Sequence, residues 1–444
     1  MPNNDRRDEL IVYLSVTRPT VTQNHVLQDH SQGSNVILYL PPGPVFRGFD
    51  AQISASGTSQ MNEYPHWIDD GPLGHLSSTQ RLAIRASAIV VTINYRLGRP
   101  DECSPVSEVP QDFEQPLSVH AREPKLYQFP TPVHDTLAGF DWVQTHLKPA
   151  KLGIFGSQVG GSLALMLALT EARSVHAVAA ASPICDWSGL DEHCTTQEAI
   201  DSQTPTKKLR RTSKKNGPAP WDLIPLLQAR EQFFATPEQS FDAFASPVLL
   251  LRSAGRDVPK TFPQYHTGPD YPVPILKDDS DFVADWVWDR DAYPDIDSDN
   301  ADSESLVDSS PRIRRRKALS RWPPYGLDYG ISRGIWSGPR FGVKRLEVTL
   351  PWIRLLTDDV VPGATLSDHG SEGAKRKDAH SRPSVLAQQG EEMVSVLRRA
   401  CFWGQEKGVG ERRVTLSRTH ANPADEAGRW FDGIWDKPTN DDDY

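Results

Sequence analysis

The stretch that decides the fold reads Ala150-Lys-Leu-Gly-Ile-Phe-Gly-Ser-Gln-Val-Gly-Gly-Ser-Leu-Ala-Leu-Met-Leu-Ala-Leu-Thr170. Residues 152–155 form a short apolar run that is typical of a buried strand, and this run stops at Gly156. Residues 159–169 are small and apolar, as expected for a helix that packs on a sheet. The stretch therefore predicts a strand, a sharp glycine turn and a helix.

The turn in this stretch has the spacing of a nucleophile elbow, whose pattern is G-x-S-x-G. The sequence reads Gly156-Ser-Gln-Val-Gly160, so Gln158 occupies the position of the nucleophilic serine. Glutamine has no hydroxyl group to deprotonate and cannot form an acyl-enzyme. The residues therefore predict the scaffold of a hydrolase without its usual nucleophile.

The amino-acid composition argues against several other classes of function. The net charge of -10 argues against a general nucleic-acid binder. The four cysteines are scattered without a CxxC pair, which predicts neither a metal site nor a disulfide framework. No apolar run is long enough to span a bilayer, and the polar first residues do not resemble a targeting segment. We therefore expect a cytoplasmic protein without a metal or cofactor, with the nucleus as the alternative location.

Apolar strands alternate with helices along the chain, which predicts an α/β fold with a mostly parallel central sheet flanked by helices. Strands are predicted at 8–15, 35–40, 88–96, 152–155, 175–182, 345–356 and 412–417, and helices at 73–87, 129–147, 159–169, 220–235, 237–245, 390–402 and 423–435.

Several polar segments interrupt this alternation. We predict one domain over residues 1–444 with an insertion loop at 99–127, a lid-like helical insertion at 188–245, an acidic and then basic disordered insertion at 277–317, and a polar loop at 365–384. A basic cluster at 207–215 indicates either a solvated loop or a patch for an acidic partner or nuclear import.

Three motifs in order resemble the hormone-sensitive-lipase-like carboxylesterases of the α/β-hydrolase fold. They are Asn-Tyr-Arg-Leu at 94–97, Phe-Pro-Thr-Pro-Val-His-Asp at 129–135 and Gly-Ser-Gln-Val-Gly-Gly at 156–161. The resemblance covers about residues 35–187 and is weaker in the C-terminal half. It implies an eight-stranded, mostly parallel sheet and the hydrolysis of carboxylic esters.

The family also has an oxyanion-hole motif, H-G-G-G, after the strand at 35–40. This chain has Pro41-Pro42-Gly43-Pro44 there. Because proline has no N–H group, only Gly43 of these four residues can donate a hydrogen bond. The resemblance therefore predicts Gly43 and Val159 as the remaining donors, and loss of one donor costs on the order of a hundredfold in rate.

The acid and base of the family lie further along the chain. The acid would follow a strand either within 246–257 or within 350–362, and we prefer the second because a helix and a strand follow it. The family's acid position holds Val361, so Asp359, just upstream, is the candidate acid, with Asp358 beside it. His420 is the candidate base.

These observations leave three hypotheses for function. The first is a catalytically impaired hydrolase that keeps a pocket for a small apolar ligand or a partner protein. The second is an active carboxylic-ester hydrolase that uses Ser157, or another serine such as Ser162, with His420 and Asp359. The third is an interaction scaffold that binds a protein partner through its charged insertions. None of the three involves nucleic acid or a membrane span.

Overall fold

The structure is a computed structural model that describes residues 13–18, 34–46, 76–99, 126–196, 219–268, 271–276, 317–320, 322, 350–357, 383–402, 406–419 and 422–437. The predictions at 207–215 and 358–359, and the residues Val361 and His420, fall outside these residues. So do nearly all of the predicted insertions at 99–127, 277–317 and 365–384. The scaffold hypothesis, which rests on those insertions, stays a prediction.

Ten strands are present in the described part of the chain. They are β1 (Tyr13–Thr17), β2 (Val36–Leu40), β3 (Ile89–Asn94), β4 (Leu152–Ser157), β5 (Ala177–Ala181), β6 (Thr195–Thr196), β7 (Tyr265–Gly268), β8 (Tyr271–Leu276), β9 (Trp352–Thr357) and β10 (Val414–Arg418). Seven of them form a sheet in the order β1-β3-β2-β4-β5-β9-β10, and only β1 is antiparallel to its neighbour. The predicted mostly parallel sheet is confirmed.

Eight α-helices accompany these strands. They are α1 (Ser78–Ala86), α2 (Thr131–His146), α3 (Val159–Thr170), α4 (Leu223–Phe233), α5 (Pro237–Ser240), α6 (Val385–Cys401), α7 (Val409–Arg413) and α8 (Pro423–Ile434). Helices α2, α3 and α6 share one apolar core with one face of the sheet, and α1 and α8 share a second core with the other face. A sheet covered on both faces explains why its strands read as continuous apolar runs.

Most predicted elements are confirmed, with differences at their ends. Helix α6 begins at Val385, five residues before the predicted start at 390. Its N-cap Ser384 accepts from the N–H of Ala387 at 3.1 Å, and Asp222 accepts from the N–H groups of Val385 and Leu386, each at 2.9 Å. Strand β10 begins at Val414, since residues 409–413 form α7 instead. Helix α5 ends at Ser240, so the prediction of a helix to 245 was too long.

The segment between β5 and β9 forms more than the helical lid predicted at 188–245. Helices α4 and α5 are present, but β6, β7 and β8 form a separate small sheet in the order β6-β8-β7 that extends to Leu276. Strands β7 and β8 are antiparallel and only two residues apart in sequence, whereas β6 lies far from β8, so no local pattern predicts the pairing of β6 with β8.

An ion pair joins two of the motifs found in the sequence. Asp135 in α2 is fully buried, and its carboxylate accepts hydrogen bonds from the backbone N–H, Nε and Nη2 of Arg96 at 2.9, 2.9 and 2.7 Å. The Arg96 guanidinium also lies 5.1 Å from the ring centre of Tyr127. The pair therefore ties the segment after β3 to the start of α2, and it raises the pKa of Arg96 through its hydrogen bonds to Asp135.

Removal of this buried carboxylate should destabilise the fold. We expect Asp135→Ala to lower the free energy of unfolding by about 3–5 kcal/mol, because it leaves the mostly buried guanidinium of Arg96 without its partner. Urea denaturation followed by circular dichroism measures this change. Asp141→Ala, at an exposed position of the same helix, is the control and should change stability by less than about 0.5 kcal/mol. Equal losses in the two variants would contradict this account.

Candidate functional site

Gln158 lies at the turn between β4 and α3, where the sequence predicted it. Its backbone has φ 49° and ψ -112°, a conformation that side-chain-bearing residues rarely adopt. Two glycines force this turn. A Cβ on Gly156 would collide with the carbonyl of Gly160, and a Cβ on Gly160 would collide with the carbonyl oxygens of Leu40 and Pro41. The turn therefore presents Gln158 at the carboxyl edge of the sheet in a strained conformation.

This turn lies where the strand order of the sheet reverses. After β2 the chain enters β3 on one side of β2, and it later enters β4 on the other side. In open α/β sheets, ligands bind at such a reversal, outside the carboxyl ends of the strands. The segment 41–46 follows β2 and the Gln158 turn follows β4, so both lie at this reversal.

The two residues predicted as oxyanion donors lie next to each other. A Cβ on Gly43 would lie 3.4 Å from Cβ of Val159 and 3.3 Å from the hydroxyl of Tyr95. The backbone N–H of Val159, however, donates a hydrogen bond to the carbonyl of Pro42 at 3.3 Å. Tyr95 donates its hydroxyl to the carbonyl of Pro41 at 2.5 Å. One predicted donor is thus already bonded within the protein.

The two serines beside Gln158 have different surroundings. Ser157 is the last residue of β4, and strand alternation places it on the face of Phe155, which packs in the core with α1 and α8. Helix α3 covers the opposite face. Ser162 is 2% exposed and donates to the carbonyl of Ile184, and it also lies 3.1 Å from the carbonyl oxygen of Gln158. Its hydroxyl holds the turn in place.

Backbone hydrogen bonds link the carboxyl ends of four neighbouring strands. Gln158 donates to the carbonyl of Ala181 at 2.9 Å, at the end of β5. Ser182 donates to Leu356 of β9 at 2.7 Å, and Thr419 donates to Thr357 at 3.0 Å, which joins β10 to β9. The candidate acid Asp359 and base His420 follow β9 and β10 in sequence but lie outside the described residues.

The structure distinguishes between the two segments that were candidates for the strand before the catalytic acid. Residues 352–357 form β9 inside the sheet, as the preferred alternative requires. Residues 247–250 form a 3₁₀ turn, and 251–257 have no strand. The alternative at 246–257 is therefore wrong as a sheet strand, and Asp257 is not at a strand end.

A network that the sequence did not reveal fixes the chain after β5. Asp186 is 4% exposed and binds Arg252 at 2.8 Å and the hydroxyl of Ser188 at 2.7 Å. From α6, Gln389 accepts from the N–H of Cys185 and of Asp186 at 2.9 and 3.1 Å and donates to the carbonyl of Asp186 at 2.8 Å. These contacts hold the entry to the lid segment against the main domain.

A second network orders the lid segment itself. The carboxylate of Asp191 contacts Arg230 at 2.9 Å and also binds Arg256 and the hydroxyl of Tyr265. Burial raises the pKa of Asp191, but the two arginines outweigh burial and hold this pKa below its usual value. No short motif connects these residues, which explains why sequence reasoning missed them.

Gln158 itself contains one unsatisfied polar atom. Its Oε1 is buried and has no hydrogen-bond partner in the described structure.

Within the described residues, no group of three His, Cys, Asp or Glu side chains is placed to hold a metal ion. A search of the same residues finds no helix that could cross a membrane.

Comparison with known families agrees with the strand order and the elbow. A sequence model of the family Esterase matches residues 30–247, just under half of the chain. Residues 30–247 are therefore similar to this family, and the sheet and helices of the chain form an α/β-hydrolase fold. The match of this α/β-hydrolase-fold protein to the family includes Gly43 and the Gln158 turn but ends before β9. No curated protein sequence matches the chain.

Solved structures of esterases resemble this α/β-hydrolase-fold protein at low identity. A thermostable carboxylesterase cloned from a metagenomic library is 18% identical, with a TM-score of 0.30 over 54% of this chain and 60% of that one. Carboxyl esterase 2 from Tuber melanosporum is 12% identical, with a TM-score of 0.39 over 95% and 81%. A hyperthermophilic esterase from Pyrobaculum calidifontis is 18% identical, with a TM-score of 0.28 over 53% and 56%. The chain thus spans less than two thirds of the first of these relatives.

The strained backbone of Gln158 has a measurable consequence. We expect Gln158→Gly to raise the free energy of unfolding by about 1 kcal/mol, because glycine adopts positive φ without the steric cost that other residues pay. Gln144→Gly, within α2, should lower it by about 1 kcal/mol, since glycine is unfavourable inside a helix. Urea denaturation of both variants tests the opposite signs. A loss of stability in Gln158→Gly as large as in Gln144→Gly would show that position 158 is not strained.

Proposed function

We propose that this protein is a catalytically impaired relative of the carboxylesterases that binds a small ligand at the carboxyl edge of its sheet without hydrolysing it. One observation carries the proposal: Gln158, and not a serine, occupies the apex of the strand–helix turn, with φ 49° and ψ -112°. The turn thus keeps the conformation that presents a nucleophile in hydrolases, but the side chain at its apex is a carboxamide. A carboxamide provides no alkoxide for attack on an ester.

The surrounding groups support a loss of acyl transfer. Ser157 lies on the opposite face from α3, and the Ser162 hydroxyl is engaged with a buried carbonyl, so neither takes the place of the missing nucleophile. The N–H of Val159 donates to Pro42, whereas a working oxyanion hole aims such a donor at the developing charge of the substrate. The nucleophile and the oxyanion-hole donor, which are both required to form an acyl-enzyme, are therefore both changed.

The unsatisfied oxygen of Gln158 supports a remaining role in binding. A buried acceptor without a donor costs about 1–3 kcal/mol, and buried polar groups in native proteins almost always have a partner. A ligand with one N–H or O–H group next to an apolar body would satisfy this oxygen. The position of the turn at the reversal of strand order, where α/β proteins bind their ligands, favours the same conclusion.

Labelling with a fluorophosphonate tests the loss of catalysis. We expect no adduct at any serine of the folded wild-type protein and no turnover of p-nitrophenyl acetate above buffer, because no activated serine is present. Peptide mass spectrometry locates any adduct. An active serine hydrolase that is labelled under the same conditions serves as the positive control for the reagent.

The second candidate function is an active ester hydrolase, which the match to the esterase family favours. It would use Ser157 with His420 as base and Asp359 as the orienting acid. An adduct at Ser157, together with turnover that disappears in Ser157→Ala, would establish this function and overturn our proposal. An adduct at another serine with turnover would overturn it equally.

The role of the Gln158 oxygen has a separate test. In the absence of ligand, we expect Gln158→Met to raise the free energy of unfolding by about 1 kcal/mol, because the variant removes a buried acceptor and nearly keeps the side-chain volume. Gln388→Met is the matched control: its amide donates to the carbonyl of Pro383 at 2.9 Å, so this variant should gain nothing. Chemical denaturation measures the free energy of unfolding of both variants and of the wild type. A loss of stability in Gln158→Met would mean that the protein already satisfies the amide.

A further inference from the structure

A pocket lies at the other end of the sheet from Gln158. Its volume is about 390 Å³, and its lining includes Trp352, the first residue of β9, and the last turns of α8. Five lining side chains are cationic and none is a carboxylate: Arg354, Arg412, Arg413, Arg429 and Lys437. We call these residues, with Trp352 and Gly433, the basic pocket.

Three elements bring these cations together. Trp352 and Arg354 are two residues apart in β9, so they project from the same face of the sheet. Arg429, Gly433 and Lys437 recur every fourth residue along α8 and the turn after it, which places them on one side of the helix. Helix α7 adds Arg412 and Arg413 from the side of β10.

Most of this positive charge has no described counter-charge. Glu426 binds Nη2 of Arg354 at 2.8 Å, and Nε of Arg354 is buried without a hydrogen-bond partner. Arg412, Arg429 and Lys437 are exposed and form no ion pair with a described carboxylate.

The aromatic ring in the pocket holds two of the cations in place. The guanidinium of Arg413 lies 4.5 Å, and the ammonium of Lys437 5.1 Å, from the ring centre of Trp352. Cations held over an aromatic face are attracted by its negative potential. Trp352 therefore holds these two cations at the wall of the pocket.

Like charges that converge repel each other, so this arrangement costs free energy until an anion binds. We infer that the basic pocket binds a soluble small molecule with two or more phosphate groups. Several cations around a concave surface match a multivalent anion, because arginine donates two parallel hydrogen bonds to a phosphate. The volume lies in the range of small-ligand sites. A net charge of -10 repels the extended negative surface of a membrane or nucleic acid, which favours a small soluble ligand.

Gly433 offers a way to block the pocket without loss of a charge. A Cβ built on Gly433 has no atom within 4 Å, so a side chain there would extend into open space in the pocket. Replacement of a helical glycine also favours the helix. Gly433→Leu should therefore fold and still obstruct the ligand.

Isothermal titration of the full chain with inorganic tripolyphosphate tests this inference. We expect saturable binding by the wild type, at least tenfold weaker binding by Arg412→Ala/Arg429→Ala, and at least threefold weaker binding by Gly433→Leu. Arg399→Ala removes an exposed cation from α6, outside the pocket, and should change the affinity less than twofold. Circular dichroism confirms that each variant is folded.

Three results would overturn the inference. They are no saturable binding by the wild type at millimolar tripolyphosphate, an equal loss in Arg399→Ala and the double variant, and full binding by folded Gly433→Leu. Sedimentation with vesicles that contain phosphatidylinositol bisphosphate distinguishes a lipid headgroup from a soluble phosphate compound as the ligand. A soluble ligand predicts no co-sedimentation, whereas binding to vesicles without binding to tripolyphosphate would place the site at a membrane.

Discussion

The close approach of α3 to the end of β2 is the constraint on which the rest of this structure depends. Gly160 packs beneath the carbonyl oxygens of Leu40 and Pro41, and Gly156 packs against the carbonyl of Gly160, so neither position has room for a Cβ. Because of this contact, the chain reverses within a few residues and places residue 158 at positive φ. The hydrogen bonds from this turn to β5, and onward to β9 and β10, set the carboxyl edge of the sheet.

This constraint concerns the backbone, and that explains how the turn persists without a nucleophile. The packing needs glycine at 156 and 160 and apolar residues in β4 and α3, but it places no demand on the side chain at 158 beyond tolerance of its strained backbone. The same holds for the segment after β2. Its carbonyls accept hydrogen bonds from Tyr95 and Val159, so groups that could stabilise an oxyanion stabilise the loop instead.

The two ends of the sheet differ in their chemistry. At the carboxyl edge, the buried Oε1 of Gln158 is a neutral hydrogen-bond acceptor. At the opposite end, arginine and lysine side chains from three elements surround Trp352. Both regions belong to one rigid framework, since β9 contributes Trp352 to the basic pocket and Thr357 to the carboxyl edge.

The sequence by itself determined the strand–turn–helix at 150–170 and the alternation of strands and helices. These features depend on local periodicity and on residues such as glycine, whose conformational limits act within a few positions. Ser384 caps the start of α6 locally, but the tertiary structure alone brings Asp222, more than 160 residues earlier in the chain, to the same helix end. It alone decided the pairing of β6 with β8, the ion pair of Arg96 with Asp135, the bond from Val159 to Pro42 and the basic pocket. In each case the partners come from distant segments, and only the packing of the sheet and its helices brings them within contact distance.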